Sequence, residues 1–277
     1  WVHIVDPAGK VIDNKRSLYD HAFIILAGAE AYTAFKDQRA LSIALESAEF
    51  IRESLASEDT GGWYEDLECS LPRRANPHMH LLEASCALYQ ATQNPDDLTI
   101  AKESVSLFES RFFDARDDIL VEFFDDDWTP YTRSRGETIF EVGHMYEWAS
   151  LLQNFESLSG HDTISWRRRL IRRADLQVKV RGDGFASNSE RLDGVRVNPN
   201  RRLWPQLEMI RAHLLHPGLA PIGAVADMFE RITNDYVRSS PDGAWIDEFD
   251  DQGRPVSNTV PASVLYHFTT AFTPLID

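Results

Sequence analysis

The stretch Trp1-Val2-His3-Ile4-Val5-Asp6-Pro7-Ala8-Gly9-Lys10 opens the chain, and Trp245-Ile246-Asp247-Glu248-Phe249-Asp250-Asp251-Gln252-Gly253-Arg254 answers it near the other end. Each runs on into an apolar segment, Leu18-Tyr19-Asp20-His21-Ala22-Phe23 in the first case and Leu265-Tyr266-His267-Phe268 in the second. Three stretches between them follow the same plan. Gly62-Trp63-Tyr64-Glu65-Asp66 leads to Asn76-Pro77-His78-Met79-His80, Val121-Glu122-Phe123-Phe124 leads to His144, and Gly184-Phe185 leads to Arg201-Arg202-Leu203-Trp204-Pro205-Gln206. With His21, His80, His144, Trp204 and His267 as markers, the intervals are 59, 64, 60 and 63 residues. A repeat of about sixty residues organises the chain.

Each unit reads as a short extended or hairpin-like loop, then a largely apolar helix, then a second, amphipathic helix. The pairs fall at 17–36 with 39–56, 74–92 with 96–112, 139–159 with 162–179, and 203–215 with 221–238, followed by a last helix at 260–275. The first helix of a pair is apolar nearly all round, as in Ala22-Phe23-Ile24-Ile25-Leu26-Ala27-Gly28-Ala29, whereas the second mixes in Glu, Arg and Lys. That contrast predicts inner and outer rings. Helical hairpins cannot bury their apolar faces alone, and closing them into a ring removes the ends that an open array exposes. The expected fold is all-α, an (α/α)6 barrel, with residues 1–277 forming a single catalytic domain that carries about five of the six hairpins. The sequence starts without a methionine, inside a loop that elsewhere follows a helix pair, so about one hundred N-terminal residues are expected to be missing. A shorter native domain or an open solenoid is the alternative.

At 277 residues, 43% hydrophobic and 26% charged, the chain can bury a sizeable core and has the composition of a soluble globular protein. No apolar run approaches the roughly 18 residues that cross a bilayer, and the first residues lack the order of a signal peptide, which makes the cytoplasm the expected compartment. Cys69 and Cys86 are the only cysteines and do not form a Cys-x-x-Cys pair, which argues against a disulfide framework or a structural zinc site. The formal charge of −16 disfavours nucleic acid and anionic membrane as partners. Arg167, Arg168, Arg169, Arg172 and Arg173 read as a solvated helix face.

The start of each first helix is where chemistry is expected, because every loop delivers its residues there, towards one mouth of the ring. In Phe140-Glu141-Val142-Gly143-His144-Met145-Tyr146-Glu147-Trp148, His144 and Glu147 stand three residues apart and leave the same helical face. Imidazole and carboxylate are the side chains most used as general acid and base. His80 with Glu83, and His267 at the start of the last helix, occupy comparable places. Trp204 and Tyr19 supply aromatic surface of the kind that holds the apolar face of a sugar ring. His3, His161, His213 and His216 lie outside the repeated positions and read as surface or packing residues, while His21 and His78 stand beside better-placed neighbours and stay open. Two His-x-x-Glu pairs could also cage a divalent metal, but no Asp-rich loop or cysteine accompanies them, and no metal is expected. With no nucleophile signature, phosphate-cradling loop or dinucleotide fingerprint, these tools fit proton abstraction next to a carbonyl without a cofactor.

Four ordered motifs carry a family resemblance: Asn76-Pro77-His78-Met79-His80-Leu81-Leu82-Glu83-Ala84, Val142-Gly143-His144-Met145-Tyr146-Glu147-Trp148, Arg202-Leu203-Trp204-Pro205-Gln206 and Pro261-Ala262-Ser263-Val264-Leu265-Tyr266-His267. Together they resemble the N-acylglucosamine 2-epimerase superfamily, with its mannose isomerase and sulfoquinovose isomerase branches, over essentially the whole chain. The resemblance implies an (α/α)6 barrel without a catalytic metal. It also implies that His267 acts at C2, that His144 and Glu147 assist ring opening and proton transfer between C1 and C2, and that His80, Asn76, Trp204 and Tyr19 hold the substrate. The expected activity is a cofactor-independent interconversion of a mannose-type aldose and its ketose through a cis-enediol, with a small monosaccharide as partner and a homodimer left open. An N-acylglucosamine 2-epimerase is the rival. An α/α-barrel glycoside hydrolase using Glu65 and Glu147, and an inactive sugar-binding protein, are the readings from other classes.

Overall fold

The computed structural model of the chain describes residues 1–220 and 223–275. Helices α1 (Leu18–Phe35) and α2 (Gln38–Phe50) form the first pair, and α3 (Ala75–Thr92) and α4 (Thr99–Leu107) the second. α5 (Val142–Ser159) and α6 (Ile164–Arg181) form the third, α7 (Leu203–Leu215) and α8 (Ala224–Ile232) the fourth, and α9 (Val264–Phe272) stands last. The expected pairing is present throughout. Of the second helix expected over 221–238, Pro221 and Ile222 lie outside the described residues. The first helices begin at Leu18, Ala75, Val142, Leu203 and Val264, spacings of 57, 67, 61 and 61 residues. The repeat is real, but the five marker residues lie 3, 5, 2, 1 and 3 residues into their helices, so of the five only His21 and His267 hold the same step.

Local chemistry sets the helix boundaries. Ser17 caps α1 by accepting from the Asp20 N–H at 3.1 Å, and Asp37 caps α2 by accepting from the Arg39 N–H at 2.8 Å. Left-handed residues stop α1 at Lys36, α3 at Gln93 and α6 at Gly182. Pro77 and Pro205 sit in the first turns of α3 and α7, where a missing N–H leaves no intrahelical bond unmade. A repeated feature absent from the sequence reading ends the second helices: α2, α4 and α8 each widen into a π-helical turn, at Ile51–Leu55, Phe108–Phe112 and Thr233–Val237.

Two backbone devices recur from unit to unit. The N–H that opens a first helix donates to a loop carbonyl one unit further on: Leu18 to Glu65 at 2.9 Å, Ala75 to Glu122 at 3.0 Å and Leu203 to Asp247 at 2.8 Å. Short antiparallel pairings run beside these bonds, Arg73–Arg74 with Phe123–Phe124 and Arg201–Arg202 with Glu248–Phe249. The second device lies inside the helix. His21 Nδ1, His78 Nδ1 and Gln206 Nε2 each donate to the carbonyl four residues back, at 2.8, 3.0 and 2.8 Å. The other end of each side chain meets the preceding loop: the Trp63 N–H donates to His78 Nε2 at 3.3 Å, the Ala186 N–H to Gln206 Oε1 at 2.9 Å, and the Trp1 nitrogen lies 3.0 Å from His21 Nε2. His21 and His78, which the sequence left open, are staples that close helix starts. Burial pushes the His78 imidazole down to about 3, so it stays neutral.

The described residues divide into two compact units, Trp1–Asp114 with Val121–Arg133 and Asn154–His161, and Ala115–Leu120 with Ser134–Gln153 and Asp162–Asp277. In the first, α1 packs on α2 and α3, and Gly28 brings the α1 backbone so close to α2 that an added Cβ would meet the Ala40 carbonyl at 2.6 Å. In the second, α7 packs on α8 and α9 around Leu203, Leu207, Ile210, Tyr236 and Val264. Arg73 in the first unit and Arg201 in the second lie over aromatic rings, at 3.6 Å from the Trp128 ring centre and 3.9 Å from that of Phe185. The basic run on α6 is only partly a solvated face. Arg167 is buried and donates to Gln153, Thr163 and His216. Among the described residues, no helix is long and apolar enough to cross a membrane.

Candidate functional site

In the second unit, three helices bring their expected residues together. α5 supplies His144 and Glu147 from its first two turns, α7 supplies Trp204, and α9 supplies His267. The Trp204 indole touches both imidazoles, with ring centroids 5.1 Å from His144 and 5.2 Å from His267. This approach needs Gly143. A Cβ there would lie 2.5 Å from two indole carbons and 2.9 Å from the Pro205 Cβ, so any side chain at this position displaces the tryptophan.

Glu208, which the sequence reading passed over, completes the group. It lies four residues after Trp204 on the same face of α7, and both its oxygens are engaged. Oε1 accepts from His267 Nδ1 at 2.7 Å, and Oε2 accepts from Arg211 at 3.3 Å. Burial alone would push this fully buried carboxyl up, but the Arg211 charge and the bond from His267 outweigh it and hold the group ionised, below its usual range. Glu147 is nearly as buried and accepts from the Tyr266 hydroxyl at 3.3 Å. His144 Nδ1 lies 3.6 Å from Glu141. The signal for Glu208 was present as a carboxylate in the first half of a largely apolar helix, one turn after Trp204 and two residues past the Trp-Pro-Gln motif.

Donor atoms of Glu147, Glu208 and His267 lie within 4.8 Å of one another, a set that could hold a metal ion among the described residues. A divalent ion with bonds of about 2.1 Å needs its donors roughly 3–3.5 Å apart. Glu208 is also already committed to His267 and to the cationic Arg211. The arrangement suits proton transfer better than ion capture. An imidazole whose Nδ1–H is held by a carboxylate has a fixed orientation and tautomer, and its Nε2 is the more basic for it.

The first unit brings together two of the remaining expected residues. Tyr19 on α1 meets His80 on α3 edge to face at 5.3 Å, Phe23 lies 4.5 Å from the same imidazole, and Glu83 sits 3.5 Å from His80 Nδ1. Asn76 occupies the place in Arg73-Arg74-Ala75-Asn76-Pro77 that Trp204 takes in Arg201-Arg202-Leu203-Trp204-Pro205, and its buried Oδ1 has no hydrogen-bond partner. Glu65, one of the two carboxylates of the hydrolase reading, accepts from the Arg74 N–H, Nε and Nη2 at 2.6, 2.8 and 2.8 Å. That engagement makes it a strut at the start of α3. Of the other histidines, His3 and His161 are surface partners of Asp20 and Glu109, whereas His213 and His216 are internal.

A sequence model of the N-acylglucosamine 2-epimerase (GlcNAc 2-epimerase) family matches residues 1–271. The chain is 32% identical to a mannose-6-phosphate isomerase of Rhizobium meliloti, over 97% of this chain and 72% of that one. It is 26% identical to a cellobiose 2-epimerase of Dictyoglomus turgidum, over 91% and 68%. Among solved structures, the cellobiose 2-epimerase of Spirochaeta thermophila superposes with a TM-score of 0.81 at 24% identity, covering 98% of this chain and 74% of that one. The paired helices are thus those of the (α/α)6-barrel fold, as the repeats implied. With the motifs, the paired helices and the match over nearly every residue in agreement, the chain belongs to the N-acylglucosamine 2-epimerase family of sugar isomerases and epimerases.

Proposed function

We propose that the chain interconverts a mannose-type aldose and its ketose, with His267 as the base. The observation that supports this reading is the 2.7 Å bond from His267 Nδ1 to the buried, ionised Glu208, which leaves Nε2 as the ring nitrogen available to act on a substrate. Nε2 takes the proton from C2 of the open-chain sugar. The C–H electron pair becomes the C1–C2 double bond, the carbonyl pair moves to O1, and O1 takes a proton from His144 to give the cis-enediol. In the second half the O2 proton passes to His144, aided by Glu147, the C2 carbonyl forms, and the double-bond pair takes the proton from His267 at C1. One proton has moved from C2 to C1 and one from O2 to O1. Glu208 stabilises the imidazolium that forms in between, and Trp204 holds the apolar face of the sugar. His80, Tyr19 and Asn76 are assigned to substrate binding.

The family's epimerases favour a second reading on a specific observation: two imidazoles, His144 and His267, flank one tryptophan, and a 2-epimerase needs a base on each face of C2. Proton NMR in D2O separates the two. Incubation with D-mannose, mannose 6-phosphate and N-acetylmannosamine, with and without chelator, should give a ketose carrying deuterium at C1 from one of the mannose substrates, and none from a His267→Asn variant. Interconversion of N-acetylmannosamine with its C2 epimer, and no ketose, would assign the epimerase reading instead. No turnover of any of the three would sink both.

A further inference from the structure

Tyr146 and His213 have no part in the proton transfers above, yet both are buried and both bond to one atom. Tyr146 on α5 donates its hydroxyl to Asp175 Oδ1 at 2.7 Å, and His213 on α7 donates Nε2–H to the same oxygen at 3.0 Å. The two rings also touch, with centroids 5.9 Å apart. Asp175 comes from α6, the partner of α5 in the third hairpin, and its side chain is about one-third exposed, whereas Tyr146 is fully buried and His213 is 1% exposed.

We propose that Asp175 is a positioning residue, which fixes the helix bearing His144 and Glu147 against the helix bearing Trp204 and Glu208. The proposal rests on the reading of the site given above. α5 and α7 meet at Gly143 and Trp204 in their first turns, and one point of contact by itself would fix their separation there but leave one helix free to pivot on the other. The shared oxygen of Asp175 adds a second point of attachment, at Tyr146 on α5 and at His213 on α7, and two points remove the pivot. A single acceptor for two buried donors also couples them, since neither helix can shift without lengthening its bond to an atom the other helix holds. Displacement of reacting groups by about 1 Å can cost a hundredfold in rate, so a clasp remote from the substrate can act on turnover with little effect on binding.

The test combines kinetics with hydrogen–deuterium exchange over residues 142–153 and 203–215. Asp175→Ala should raise exchange in both segments at once and lower kcat at least about tenfold with KM within about twofold. Asp175→Asn, whose amide oxygen can accept both bonds, should restore kcat to within about threefold of the parent. Adding Tyr146→Phe to Asp175→Ala should cost nothing further, because the bond is already gone. Faster exchange in only one segment, an Asn variant as impaired as the Ala variant, or additive losses in the double variant would each overturn the proposal. If Asp175→Ala does not fold, Tyr146→Phe alone carries the test. It removes one oxygen atom and should lower kcat about threefold to tenfold and loosen 142–153, and an unchanged kcat and exchange pattern defeats the clasp. A parent protein that turns over no sugar refutes the proposed reaction and leaves the exchange result to decide on the clasp.

Discussion

Glu208 is a fully buried carboxylate that stays charged because two donors reach it, and that places a definite demand on substitution. Glu208→Gln keeps the shape but removes the charge that orients His267 and balances Arg211. Turnover should fall about a hundredfold or more, with KM changed far less, as measured by steady-state kinetics on the sugar identified by NMR. A retained rate would mean that His267 needs no anionic partner. His78 makes a separate prediction about acid stability. Its pKa is depressed in the folded state, so its contribution is complete above the unfolded value near 6.5 and is lost as pH falls towards about 3. His78→Gln copies the staple that Gln206 already makes. The variant should melt somewhat lower at neutral pH, for loss of ring contacts with Phe112 and Trp128, but its melting temperature should fall less than the parent's between about pH 7.5 and pH 5. Equal pH slopes would show that the burial of His78 does not govern acid unfolding.

At the scale of the helix, a missing side chain does as much as those present. Gly143→Ala puts a methyl group where the Trp204 indole lies, and overpacking of this kind costs about 1–3 kcal/mol. The expected result is a melting temperature lower by a few degrees and at least a tenfold loss in kcat/KM. A compensating Trp204→Phe should recover the melting temperature, as read by calorimetry, but not the activity. If the single variant is as active as the parent, the indole is not part of the working site. The sequence disclosed His144, Glu147, Trp204 and His267 because each stands at the start of a helix in a repeated plan. It concealed Glu208 because a carboxylate inside an apolar helix has the spacing of a core position, and only its partners on α7 and α9 reveal its task. Asp175 was hidden for a similar reason: it sits in a helix rich in charge, and nothing in sequence spacing says which of those charges, Arg167 and Asp175 among them, meet buried partners.

For the molecule as a whole, helix existence and pairing were readable from hydrophobic periodicity and the sixty-residue repeat, because those signals accumulate over many residues. The staples were not, since each depends on one side chain meeting a loop that the sequence places fifteen to twenty residues away, and the π turns carry no periodic signal that marks them off from the helices they end. The packing of the first unit can be checked with the two cysteines. Cys69 is exposed, whereas burial, helped by the charge of Glu83, pushes the Cys86 thiol up to about 12. A disulfide-exchange reagent should titrate one thiol in the native protein and both in denaturant, and rapid reaction of both in buffer would contradict the burial of α3. The bonds that open the first helices have a longer reach. Leu18 to Glu65, Ala75 to Glu122 and Leu203 to Asp247 join amide to carbonyl and make no demand on the side chains that flank them. Duplicated units joined in this way can drift apart in sequence while their seams hold, so the mouths of the loops are free to be rewritten for a new sugar without the hairpins having to learn a new way to fit together.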